Sequence, residues 1–201
     1  MQRIRAALPR VLLDQVEGFD EGEREAILGR VSDDAVTAIR RALAIGWLQM
    51  PLHMDFCGAL RDVVGPERYR ALWAESAKSF CERPMLRGII GMGRRLFVQK
   101  PRAAIRHLPA MYGVGTDGLG TFRVESVRED EFVATLDGFP SREYAFDNYV
   151  DGLHGALRGA SEIMFPAWTT ELEPTSIEEG RGAVAFRYML TRRSEHEEAL
   201  R

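Results

Sequence analysis

The hydrophobic spacing of this chain changes period near its middle, and that change limits the folds open to it. In the first half, apolar residues recur every three to four positions, as helices require. Leu8, Val11, Leu12 and Val16 predict a short first helix, followed by an acidic surface segment from Glu17 to Glu25. Ser32 suits an N-cap, with Asp33 and Asp34 at the positive end of the next helix. Val36, Ile39, Leu43 and Trp47 extend that helix as one stripe, and Pro51 is expected to divide it from its successor. The successor carries Phe56, Leu60 and Val63 and stops near Gly65. Pro66, Pro84 and Pro101 each fit the opening turn of a further helix. Their buried faces are Tyr69, Leu72, Trp73 and Phe80; then Leu86, Ile89, Ile90, Leu96 and Phe97; then Ile105, Leu108 and Met111.

The second half begins with alternation. Phe122 and Val124, then Phe132, Ala134 and Leu136, flank a polar turn at Arg128 to Asp130 and predict a hairpin. Tyr144 to Ile163 returns to helical spacing. Phe165 to Leu172 is a predicted strand, and Val184, Phe186, Tyr188 and Leu190 alternate most clearly of all. This pattern predicts an α+β fold. A helical N-terminal half packs on a four-stranded antiparallel sheet, in the order strand-strand-helix-strand-strand. The expected boundary puts a helical subdomain at residues 1–112 and the sheet subdomain at 113–201, within one compact domain. Gly113 to Gly120 is expected to be the connecting loop.

Composition removes several classes. Apolar residues make up 45% of 201, enough for a substantial core. The net charge of −3 does not point to nucleic acid. The apolar stretch from Ala42 to Phe56 is broken by Pro51, His53 and Asp55, so no membrane span is expected. No secretory leader pattern is visible, and a cytoplasmic location is expected. Two cysteines, Cys57 and Cys81, make no disulfide framework and suit small buried positions.

The local motifs are modest. Gly113, Gly115 and Gly118 match G-x-G-x-x-G, but a helix precedes them and a strand follows, the reverse of a dinucleotide site. Gly152, Gly155 and Gly159 are expected to let the late helix lie close to the sheet. Lys78 to Arg106 is strongly basic, and Arg83, Arg87, Arg94 and Arg95 are its candidate partner surface. His53, His107, His154 and His196 form no zinc spacing, and no metal is expected. His107, beside Ile105, Leu108 and Met111, sits where a haem ligand could be placed. A candidate apolar pocket draws on Trp47, Phe56, Trp73, Ile89, Ile90, Phe97 and Met111. Cys81 with His107, or Asp147, Asp151 and Glu162, are the candidates for catalysis.

One resemblance goes further. Its residues are Gly118-Leu-Gly120-Thr-Phe122-Arg-Val124, the hairpin, Asn148-Tyr149-Val-Asp-Gly152-Leu153-His-Gly155-Ala-Leu157, and the two strands ending at Leu190. This pattern resembles the ligand-binding domain shared by haem–nitric-oxide-binding sensors, 4-vinyl reductase regulatory domains and certain vesicle-tethering subunits. It is most similar to a myxobacterial paralogous branch, where the helical region also ends in a Leu-Pro-like segment, here Leu108-Pro109. The resemblance covers the last half well and the first half loosely. It implies an apolar cavity between helices and sheet, a sensing or partner-binding role, a homodimer and no catalysis. Haem-binding members place a proximal histidine before the sheet, about where His107 falls. They also hold the propionates with Tyr-x-Ser-x-Arg. This chain has Tyr188-Met-Leu190-Thr-Arg192, on its last strand and without the serine. The cysteine cluster of the metal-binding vinyl-reductase members is missing. The expected function is therefore a non-enzymatic sensory or regulatory module for a small apolar ligand or partner protein, with no cofactor. The alternative is a haem-based gas sensor using His107 as axial ligand, and an enzyme is the third reading.

Overall fold

The computed structural model describes residues 1–43, 45–82, 103 and 105–193, and its first helix is α1 (Ala7–Glu17). Helix α2 (Glu21–Leu28) begins inside the expected acidic surface segment and runs three residues past it. The acids themselves nucleate it: the Asp20 carboxylate accepts from the Glu23 amide at 2.9 Å, and Glu21 and Glu23 occupy the positive first turn. Helix α3 (Asp33–Arg41) starts at Ser32, whose hydroxyl accepts from the Ala35 amide. It ends sooner than the stripe predicted. Leu43 is exposed, and Trp47 belongs to a strand. Helix α4 (Met50–Val64) carries Pro51 in its first turn, so the proline starts that helix rather than separating two. Gly65, at φ +78°, closes α4 and opens α5 (Pro66–Cys81). Only glycine adopts that backbone freely.

Three very short strands form a small antiparallel sheet that the sequence pattern did not predict. They are β1 (Arg3–Arg5), β2 (Trp47–Gln49) and β3 (Thr116–Asp117), in the order β2-β1-β3. Helix α6 (Leu108–Gly115) precedes β3, so the first residues of the expected glycine loop are its last turn. The main sheet follows the predicted order. Strands β4 (Thr121–Ser126) and β5 (Glu131–Asp137) form one hairpin, and β6 (Trp168–Glu178) and β7 (Ala183–Arg192) form the other. All neighbours are antiparallel in the order β4-β5-β7-β6, with helix α7 (Phe146–Met164) between the hairpins in sequence. Strand β6 runs six residues past its predicted end, and a bulge interrupts it between Pro174 and Ser176. Gly182, at φ +60°, makes the turn into β7 under the backbone of Phe139, where no side chain fits.

Two apolar clusters result. One lies between the sheet and α7, centred on Phe132, Phe146, Phe186 and Tyr188. The other lies among α1 to α5, centred on Leu12, Ile39, Phe56 and Tyr69. Among the described residues, no helix is long and apolar enough to cross a membrane.

Candidate functional site

The resemblance implies a cavity at the seam between helices and sheet, and α7 lies along that seam. Phe146, Tyr149, Val150, Leu153, Leu157 and Met164 recur at helical spacing and join the sheet cluster. Gly152, Gly155 and Gly159 lie on another face, and their partner is α5 rather than the expected sheet. A Cβ on Gly155 would overlap the Arg70 carbonyl, and one on Gly159 would overlap the Ala74 carbonyl. A Cβ on Gly152 would lie 3.0 Å from the Trp73 indole nitrogen. The two helices therefore meet backbone against backbone.

Ion pairs border this contact. The half-buried Arg61 of α4 and Arg70 of α5 both reach the buried Asp151 carboxylate of α7, at 2.7 Å each. Arg61 also reaches Asp147 at 3.1 Å. Lys78 bridges Glu162 at 2.5 Å and Glu75 at 2.8 Å. The three late-helix carboxylates once considered for catalysis are thus struts between helices. The two cysteines are both buried. Burial pushes the Cys57 thiol up to about 12 and Cys81 up to about 11.

Trp73 links the seam to the helical cluster. His53 meets its ring edge-on at 5.6 Å, and the Cys57 sulfur lies 3.6 Å from the His53 ring nitrogens. Burial lowers His53 to about 3, so its imidazole is neutral at pH 7. Among the described residues no group of three or more His, Cys, Asp and Glu could hold a metal ion.

On the other side of α7, α6 is fastened by tyrosines. The single proton of the Tyr112 hydroxyl goes to the Leu119 carbonyl at 2.8 Å, so Tyr149 must donate to Tyr112, also at 2.8 Å. The Tyr112 ring stacks on Phe122 at 5.0 Å, and Tyr149 stacks on Phe139 at 4.1 Å. Burial raises Tyr112 to about 12 and raises Tyr149 well above its ordinary value, which keeps both protons in place. No sequence pattern announced this pair; two tyrosines 37 positions apart meet only through the tertiary fold.

The expected pocket residues are distributed. Phe56 and Trp73 join the helical cluster, Met111 packs against the sheet cluster, and Trp47 lies on the small sheet. Ile89, Ile90, Phe97, Arg83, Arg87, Arg94 and Arg95 fall outside the described residues. His107 caps α6 from outside: its side chain is exposed, while Ile105 and Leu108 beside it are buried. Tyr188 is wholly buried in the sheet cluster with Leu190, whereas Arg192 is exposed. Among the described residues the two haem signals of the sequence do not converge: His107 is exposed at the start of α6, and Tyr188 is enclosed in the sheet cluster.

The fold is similar to that of solved H-NOX domains. An Fe(II) unliganded H-NOX protein from K. algicida superposes with a TM-score of 0.60 at 16% identity, over 94% of this chain and 98% of that one. An oxygen-binding H-NOX domain related to soluble guanylate cyclases, in its oxygen complex, gives 0.57 at 12% identity, over 94% and 92%. No family model matches the sequence, and no curated protein matches it.

Proposed function

We propose that this chain is a sensory domain that reads a small ligand between its helical and sheet halves. The observation that carries this reading is the likeness to the K. algicida H-NOX protein, which spans nearly the whole of both chains. The neighbours' haem and oxygen chemistry supports the haem-based gas sensor more than the cofactor-free module expected first from the sequence. In that form His107 is the candidate axial ligand, and its exposed imidazole must turn toward the apolar side of α6 marked by Ile105 and Leu108. The cofactor-free form keeps the packing described above and takes an apolar ligand or a partner protein. A homodimer belongs to either form.

Haem titration of the purified chain separates the two. A Soret band that His107→Ala abolishes, with the melting temperature of the ligand-free protein unchanged, establishes the gas-sensor form. A colourless chain that ignores added haem removes it. Native mass spectrometry then tests the cofactor-free form: a surplus mass released on denaturation supports it, and a bare chain overturns ligand sensing. The same spectra report monomer or dimer.

A further inference from the structure

The surface around the small sheet carries exposed apolar side chains. Leu43 is 72% exposed, Ile45 65% and Val114 39%. They account for three of the seven large apolar residues exposed among the described residues. They are neighbours in space although Val114 is far away in sequence. The Arg5 guanidinium ties the backbones of two of them together, donating to the Val114 carbonyl at 3.0 Å and to the Ile45 carbonyl at 2.6 Å. The Gly46 amide donates to the Leu43 carbonyl at 2.7 Å, and the exposed Leu43 and Ile45 both belong to this short segment.

The surroundings are cationic and rigid. Arg5 also lies over the Trp47 ring, 3.9 Å from its centroid, and Arg3 lies 5.3 Å from it. Arg3 is paired with Asp117, whereas Arg5, among the described residues, bonds only to backbone carbonyls and the indole. Arg41, at the end of α3, is exposed and makes no ion pair among the described residues. Two arginines therefore keep their positive charge beside the exposed aliphatic turn. Tryptophan, arginine and aliphatic side chains held by strands make the composition of a binding hot spot. The central guanidinium is locked by two carbonyls and a ring, and a cation fixed in this way suits an acidic protein segment.

We infer that this face docks a partner protein through a segment that combines carboxylates with aliphatic or aromatic side chains, seated on Leu43, Ile45 and Trp47 between Arg5 and Arg41. The surface borders the last turn of α6, through Val114, and does not depend on whether the domain binds haem.

The test is a random-peptide display selection on the immobilised full-length chain, with Leu43→Ser/Ile45→Ser and Arg41→Glu as variants. Both variants alter exposed side chains, and unchanged melting temperatures verify that they fold. The expected peptides are rich in Asp and Glu beside Leu, Phe or Trp. Both variants should weaken their binding by about tenfold or more, as at other hot spots. Added salt should weaken it as well. Failure to select peptides, selected peptides without acidic residues, or binding indifferent to the substitutions overturns the inference. Co-sedimentation with phosphatidylserine vesicles that only the serine variant loses also overturns it, in favour of a lipid surface.

Discussion

The two buried faces of α7 solve opposite packing problems. Toward the sheet, the helix presents large side chains, which meet Phe132, Phe186 and Tyr188 and bury apolar area. Toward α5 it presents Gly152, Gly155 and Gly159, which bury little area and let two backbones touch. One face is vulnerable to losing atoms, the other to gaining them. A single helix thus carries both failure modes of a close-packed interior.

Substitutions on the two sides should separate these modes. The largest effect belongs to the sheet side. Phe186→Ala leaves a void in a fully buried position and should cost about 4 kcal/mol of unfolding free energy in urea titration. A loss below about 1 kcal/mol would break the comparison. The α5 side offers a test of sign. Gly→Ala inside a helix ordinarily stabilises by about 1 kcal/mol. At Gly159 the new methyl meets the Ala74 carbonyl, so Gly159→Ala should instead destabilise by about 2 kcal/mol in the same titration. A stabilised variant would mean that the helices are farther apart than described.

The smallest effect sharpens the link through Trp73. Folded His53 titrates near 3, well below its ordinary 6.5, so the unfolded chain binds the proton first. Its contribution is complete above the unfolded value and is lost as pH falls from about 6.5 toward 3. Lowering pH from about 6 to about 5 should cost about 1 kcal/mol through this residue. His53→Gln should flatten that slope relative to the parent chain. Equal slopes would mean that His53 is not enclosed against Trp73.

Most of the main architecture was legible, for a physical reason that also explains what was not. Long periodic segments such as α5, α7 and β7 bury one face each, so their spacing records the environment. The strands of the small sheet are two or three residues long and hold no period. Trp47, four positions after Leu43, therefore reads by spacing as part of the α3 stripe. The glycines of α7 were visible as a close-packing device, but a residue without a side chain carries no sign of which neighbour approaches. His107 was legible as a residue type beside apolar neighbours. Its outward orientation is set by the end of α6, and helix ends follow tertiary contacts more than local spacing. Asp151 looked like a candidate acid until Arg61 and Arg70 from two other helices occupied both its oxygens.

The bulge in β6 has a bearing on how the chain keeps its own company. This strand is one of the two outer edges of the main sheet, and at eleven residues the longer one. An open edge of that length is a template for fibrillar growth. Pro174 supplies no amide hydrogen, the break at Pro174 to Ser176 interrupts a regular ladder, and Glu171, Glu173 and Glu178 repel a like strand. The edge is built to refuse its own copies, so crowding should drive this chain toward fibrils less readily than strand length alone suggests.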